Sequence, residues 1–111
     1  MMLNHKIAVY VPSTINGNVP ANEMAEKWVR MTKIRMANLF GGFTIYQTVG
    51  GYMSAEHGLI EEQITVVQSF TDDEGLTKLP KVNELAMEIM TDMGQEVVSV
   101  EVDGTLNFIG N

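Results

Sequence analysis

Two hydrophobic periods alternate along the chain, and the switches between them outline its elements. "KIAVYVPS", residues 6 to 13, is short, apolar and β-branched and closes near Pro12, which predicts a first strand. Ala21, Ala25, Trp28, Thr32, Met36 and Leu39 or Phe40 then recur at helical spacing, so a helix is expected to about Phe40. Asn18 is its expected N-cap, with Pro20 in the first turn, where the missing N–H has no helical partner; Gly41 and Gly42 end it. Glu23 with Lys27 and Glu26 with Arg30 stand four apart, the spacing of ion pairs on its wet side. "FTIYQTV", residues 43 to 49, returns to period two as a second strand, and "LIEEQITVVQSF", residues 59 to 70, makes a third. The connection between them is too short for a crossover, so the two strands are antiparallel.

Past "DDEG", which breaks the pattern, Leu79, Val82, Leu85 or Ala86, Ile89 and Met93 describe a second amphipathic helix, begun near Thr77 and stopped at Gly94. "EVVSVEV" and "TLNFI" are two strands joined by Asp103-Gly104, a dipeptide suited to the positive φ angles of a type I′ turn. The order is β-α-β-β-α-β with an extra C-terminal strand. That is the ferredoxin-like α+β pattern, two helices on one face of an antiparallel sheet, expected as a single domain over residues 1–111. Ile7, Val9, Val11, Phe43, Ile45, Ile64, Val66, Val98 and Val100 are assigned to the helix-covered face. Tyr10, Thr44, Tyr46, Thr48, Gln63, Thr65, Val67, Ser99 and Glu101 are assigned to the open one.

Composition narrows the chemistry. With no cysteine there is no disulfide, thiolate metal site or cysteine nucleophile. The N-terminus lacks a signal-peptide pattern and no run approaches the roughly 20 apolar residues of a membrane span, so a cytoplasmic protein without membrane attachment is expected. The net charge of −7 is lopsided: residues 1 to 55 sum to +3 and residues 56 to 111 to −10. Such a surface repels a phosphate backbone, which argues against direct nucleic-acid binding and suits a basic protein partner. Asp72, Asp73 and Glu74 are the densest part of it.

Candidate catalytic residues are few. His57 follows Glu56 and precedes Glu61 by four positions, so a carboxylate could orient its imidazole, with Ser54 or a substrate as proton donor. A His beside a Glu at a hairpin tip is ordinarily a solvated turn residue, and with only His5 elsewhere a metal site lacks ligands. No phosphate loop, dinucleotide fingerprint or Ser-His-Asp motif occurs, so no cofactor is expected. The open face offers Tyr10, Tyr46, Gln63 and Glu101 as a ligand wall or as the contact of a homodimer.

"KIAVYVPSTINGN", "NLFGGFT", "GGYMSAEHGLIEE" and "GQEVVSVEVDGTLNFI" resemble small uncharacterised proteins encoded on bacterial phages and plasmids, over nearly the whole chain. The resemblance implies a mobile-element origin and a ferredoxin-like fold, and it carries no catalytic residue. The reading ranked first is an acidic accessory protein acting by protein–protein binding, with inhibition of a host defence nuclease as the role suggested by analogy. The alternative is a small enzyme or small-molecule-binding protein with a pocket between the open sheet face and the 49–58 loop, lined by Tyr10, Tyr46, His57 and Glu61.

Overall fold

Strand β1 (His5–Pro12) occupies the centre of the main sheet, which the strict alternation of Ile7, Val9 and Val11 with other residues prepares it to do. The computed structural model describes residues 1–15 and 19–110. Its elements run β1, β2 (Thr14–Ile15), β3 (Val19–Pro20), α1 (Asn22–Phe40), β4 (Thr44–Ser54), β5 (Gly58–Thr71), α2 (Asp73–Leu76), α3 (Leu79–Met93), β6 (Val97–Val102) and β7 (Thr105–Gly110). The five-stranded sheet has the order β4-β5-β1-β6-β7 and every pairing in it is antiparallel. This is the ferredoxin-like arrangement, with β7 added beyond β6. Strands β2 and β3 form a separate two-stranded ribbon.

Both long helices end as the sequence predicts, at Gly41 and Gly94 in the left-handed conformation, where a glycine costs least. The β6–β7 turn holds Asp103 at φ +50° and Gly104 at +84°, as its dipeptide requires. The start of α1 differs from expectation. Pro20 lies in β3 and not in the helix, the N-cap is Ala21 without a side-chain cap, and the expected cap Asn18 falls outside the described residues. Glu23 and Glu26 do not form the expected pairs among the described residues. Lys27 instead reaches Asp92 on α3, 3.2 Å away, and lies over the Trp28 ring, while Arg35 pairs with Glu88.

The core is the layer between the helices and one sheet face. Ile7, Val9, Val67, Val100, Val82, Leu85, Ile89 and Met93 are all 0% exposed there, with Met36 and Trp28 from α1. Burying such side chains contributes about 1.5–3 kcal/mol each, which is what holds the two helices to the sheet. In β5 the expected facing is reversed. Val67, Thr65 and Gln63 share the helix side with Val9, Val11 and Val49, while Val66 and Ile64 share the other side with Tyr10, Tyr46, Pro12 and Thr48. The stretch expected as a loop is also mostly strand: β4 continues through Gly50 and Gly51 to Ser54, and only residues 55 to 57 turn. At Gly50 the end of the Ile64 side chain fills the space that a Cβ would take.

Candidate functional site

On the face turned away from the helices, Glu101 of β6 pairs directly with Ala8 of β1. Two residues either side of Ala8 on the same face stand Lys6 and Tyr10, and the small Ala8 side chain lets both lean over it to the carboxylate. Lys6 Nζ lies 2.9 Å from Glu101 Oε2, and the Tyr10 hydroxyl donates to Glu101 Oε1 at 2.9 Å. Across the next two strands Tyr10 faces Val66, and Val66 faces Tyr46. Two phenol rings thus flank one valine, which is 1% exposed although no helix covers it, while Tyr46 remains 44% exposed.

The electrostatics of the cluster are settled internally. Glu101 is held below the usual carboxylate range by the Lys6 ammonium first and the Tyr10 hydroxyl second. Lys6 is raised by the same carboxylate. Burial, then the Glu101 hydrogen bond, pushes the Tyr10 hydroxyl up to about 12. At neutral pH these shifts keep Lys6 protonated, Tyr10 neutral and Glu101 ionised. The ring faces of the cluster suit a planar or cationic group, and its floor of Val66 and Ile64 keeps water from one side.

Farther along the same face, Glu62 accepts from the Thr14 hydroxyl at 2.8 Å, and Tyr52 pairs with Ile60. Tyr10, Tyr46 and Glu101, three of the residues singled out in the sequence, are brought together here. Gln63 is not, because β5 faces the other way. Lys6 and Glu62 were missed. The alternation of "HKIAVYVP" already puts Lys6 in phase with Tyr10, whereas Thr14 as partner of Glu62 has no local signal.

His57 and Glu61 do not form a dyad. His57 sits at the hairpin tip with its ring 60% exposed and 3.7 Å from Glu56, while Glu61 pairs with Gly51 on the helix-side phase of the arm, the part of the β4–β5 hairpin that extends past its last pairing with β1. Ser54, the suggested proton donor, accepts from the N–H groups of Glu56 and His57 and so shapes the turn. The acidic residues expected to meet a basic partner are largely engaged within the chain. Asp72 caps α2 through the Gly75 N–H, Asp73 and Asp103 hold His5, and Glu88, Asp92 and Glu101 hold Arg35, Lys27 and Lys6. Glu74 stays exposed beside Met2 and Asn4 in a shallow hollow that lies away from the tyrosines. Among the described residues no group of three or more His, Asp or Glu is disposed to hold a metal, and no helix is long and apolar enough to cross a membrane.

No family model matches the chain, and no curated protein matches it. Among solved structures, a phage S-adenosylmethionine (SAM) lyase in complex with S-methyl-5'-thioadenosine shares the fold with a TM-score of 0.70 at 18% identity, covering 100% of this chain and 95% of that one. A phage SAM lyase in the apo state aligns with a TM-score of 0.63 at 17% identity, over 97% of this chain and 90% of that one. Both neighbours are phage proteins. These findings overturn the ranking made from the sequence: the fold is shared nearly end to end with an enzyme that handles a small molecule. The acidic surface was the ground for placing a protein-binding module first; several of its carboxylates are engaged within the chain, and the net charge remains −7.

Proposed function

We propose that this chain is a phage-encoded enzyme that cleaves SAM to S-methyl-5'-thioadenosine, working on the open sheet face around Tyr10, Tyr46 and Glu101. The observation that carries the reading is the pair of tyrosine rings flanking the buried Val66, on a fold that aligns with the thioadenosine-bound lyase over its full length. Such a product fits the site in chemical terms. Its adenine can lie on the half-exposed Tyr46 ring, and the sulfonium of the substrate is a cation of the kind that aromatic faces attract.

The chemistry also matches what the cluster lacks. Release of S-methyl-5'-thioadenosine breaks the bond between sulfur and Cγ of the amino-acid arm. If the substrate's own carboxylate oxygen attacks Cγ as that bond breaks, the bonding pair stays on sulfur, which becomes a neutral thioether. The remaining four carbons close as a lactone. No proton moves and no second reagent is consumed, so a site without a titrating group is sufficient. A positive and a negative charge disappear together in that step, and a surface that holds the substrate on apolar and aromatic groups favours it over bulk water. Glu101 holds the Lys6 ammonium and the Tyr10 hydroxyl, which keeps both from the reacting carboxylate.

The test is to incubate the purified chain with SAM and follow products by liquid chromatography and mass spectrometry. Equal amounts of S-methyl-5'-thioadenosine and the amino-acid lactone are expected. Absence of product even at stoichiometric protein would sink the lyase reading, and calorimetry with S-methyl-5'-thioadenosine would then tell a binding protein from one with no affinity for the nucleoside.

A further inference from the structure

The ladder between β1 and β6 is short. It pairs Ile7 with Val102, Ala8 with Glu101 and Val9 with Val100, and that register sets Lys6 and Tyr10 on either side of the Glu101 carboxylate. Beyond Val102 the chain enters the Asp103-Gly104 turn, where the next rung is completed by a side chain. The Asp103 N–H donates to the Lys6 carbonyl at 2.9 Å, as in a regular ladder, but the Lys6 N–H donates to Asp103 Oδ1, 2.8 Å away. Asp103 therefore takes both main-chain hydrogen bonds of Lys6, whose pairing with Phe70 on the β5 side is of the non-hydrogen-bonded kind. Its other carboxylate oxygen, Oδ2, lies 2.6 Å from His5 Nδ1. The turn itself asks only for residues that accept positive φ, and Asn or Gly would serve it as well at position 103. The carboxylate goes beyond that need: it holds the main chain of the residue whose ammonium holds Glu101. The same turn also reaches Glu101 directly, since the Gly104 N–H, after Lys6 and Tyr10, helps keep that carboxylate ionised.

We propose that Asp103 is a positioning residue for the open-face site, fixing Lys6 so that its ammonium stays on Glu101 and off the substrate. The Lys6 side chain is 33% exposed and flexible, so what keeps it in place is the hold on its backbone together with the Glu101 carboxylate. With the Asp103 carboxylate removed, the ammonium is free to leave Glu101 and pair with the carboxylate of SAM. A carboxylate held in an ion pair is bound at least as well in the ground state and attacks Cγ less readily, so turnover falls while binding does not. The effect on turnover rests on the lyase reading; the placing of Lys6 against Glu101 does not.

Asp103→Gly keeps the turn and deletes both side-chain contacts, whereas Asp103→Asn keeps the turn and an amide oxygen for the Lys6 N–H. Both should match the native chain in circular dichroism. Titration of the Glu101 carboxyl by NMR reads the positioning without any reaction. It should titrate below the usual carboxylate range in the native chain and in Asp103→Asn, and move back toward that range in Asp103→Gly. With SAM as substrate, Asp103→Gly should lose on the order of 10-fold in kcat with KM unchanged or lower, and Asp103→Asn should keep most of the native rate. Adding Lys6→Met to Asp103→Gly should recover turnover, because the misplaced ammonium is gone; a mere defect of folding would not be repaired by a second substitution in the same ladder. An unmoved Glu101 titration in Asp103→Gly, equal impairment of Asp103→Gly and Asp103→Asn, a rise in KM at native kcat, or no recovery on removing Lys6 would each overturn the proposal. If the native chain yields no product, the lyase reading fails by itself, and the Glu101 titration decides the positioning.

Discussion

Strands β1 and β4 belong to one sheet and live in different environments. Along β1, Ile7, Val9 and Val11 are at most 1% exposed beneath the helices, and on the other face Ala8 and Pro12 are buried too. Along β4 every residue is exposed except Gly50 and Ser54, which are half-buried. The reach of the helices makes the difference: α1 packs mainly on β5, and α3 on β6, β7 and β1. Stability is thus concentrated on one side of the molecule, and the residues we propose to hold the substrate lie on the side that folding leaves uncovered. The sharpest way to break this contrast is a pair of truncations. Ile89→Ala, at a fully buried position on α3, is expected to cost about 2–5 kcal/mol in denaturant unfolding. Leu59→Ala, 62% exposed on the arm, should cost no more than roughly 0.5 kcal/mol. Similar losses at both would mean that the arm is packed in solution against something the isolated chain lacks.

On the uncovered side the expected effect is on activity and not on stability. Tyr46→Ala removes a ring face from a half-exposed position, and losing an aromatic stack on a base costs about 1–3 kcal/mol, roughly 5- to 150-fold in kcat/KM. Tyr46→Phe keeps the ring and should keep most of the activity, with the melting temperature of both variants near that of the native chain. If the hydroxyl is what matters, the phenylalanine variant will be as impaired as the alanine one, and stacking on Tyr46 is refuted.

The same contrast explains which parts were legible beforehand. Helix α3 and the Asp103-Gly104 hairpin follow from local pattern, because their periodicity and turn chemistry agree with the tertiary fold. Strand β5 misled because "ITVV" places two adjacent valines in the middle of the sheet: Val66 and Val67 are both buried, one on each face, so hydrophobicity could not state the phase. Gly50 and Gly51 read as a loop because glycine usually marks one. In an edge strand they are tolerated, and at Gly50 an added Cβ would meet the movable end of the Ile64 side chain. Of the candidate site, Tyr10, Tyr46 and Glu101 were visible as residues on one face, but the meeting of Lys6 and Tyr10 at Glu101 depends on the β1–β6 register, which no local segment encodes.

A smaller effect is expected inside the covered layer. The Thr32 hydroxyl on α1 is fully buried and, among the described residues, has no hydrogen-bond partner. Thr32→Val keeps the shape and removes a polar group that was stripped of water without compensation, so a gain of roughly 1 kcal/mol is expected, seen as a higher unfolding midpoint at an unchanged slope. A loss of stability would show that the hydroxyl finds a partner in solution.

The least expected change concerns the ends of the buried strand. At the first residue of β1, His5 lies between two carboxylates, its Nδ1 2.6 Å from Asp103 and its Nε2 2.6 Å from Asp73, so the ring ties β1 to the β6–β7 turn and to α2. Both nitrogens can donate only in the imidazolium form. Asp103 and then Asp73 accordingly raise the His5 pKa above its ordinary 6.5, and the amide of Lys6, then His5, lowers that of Asp103 below 3.8. The raised histidine contributes stability that is fully present below pH 6.5 and lost as pH rises through its folded value, whereas the lowered carboxylate contributes above 3.8 and fades in acid. The clamp is therefore complete between those two values and opens on the alkaline side first. The site is solvated, so the effect is small and shrinks with salt. Melting temperature should decline gently as pH rises above 6.5, and His5→Gln, which carries no titrating charge, should lose that slope while keeping the fold. An identical slope in the variant would show that another group carries the dependence and that the clamp does not form in solution.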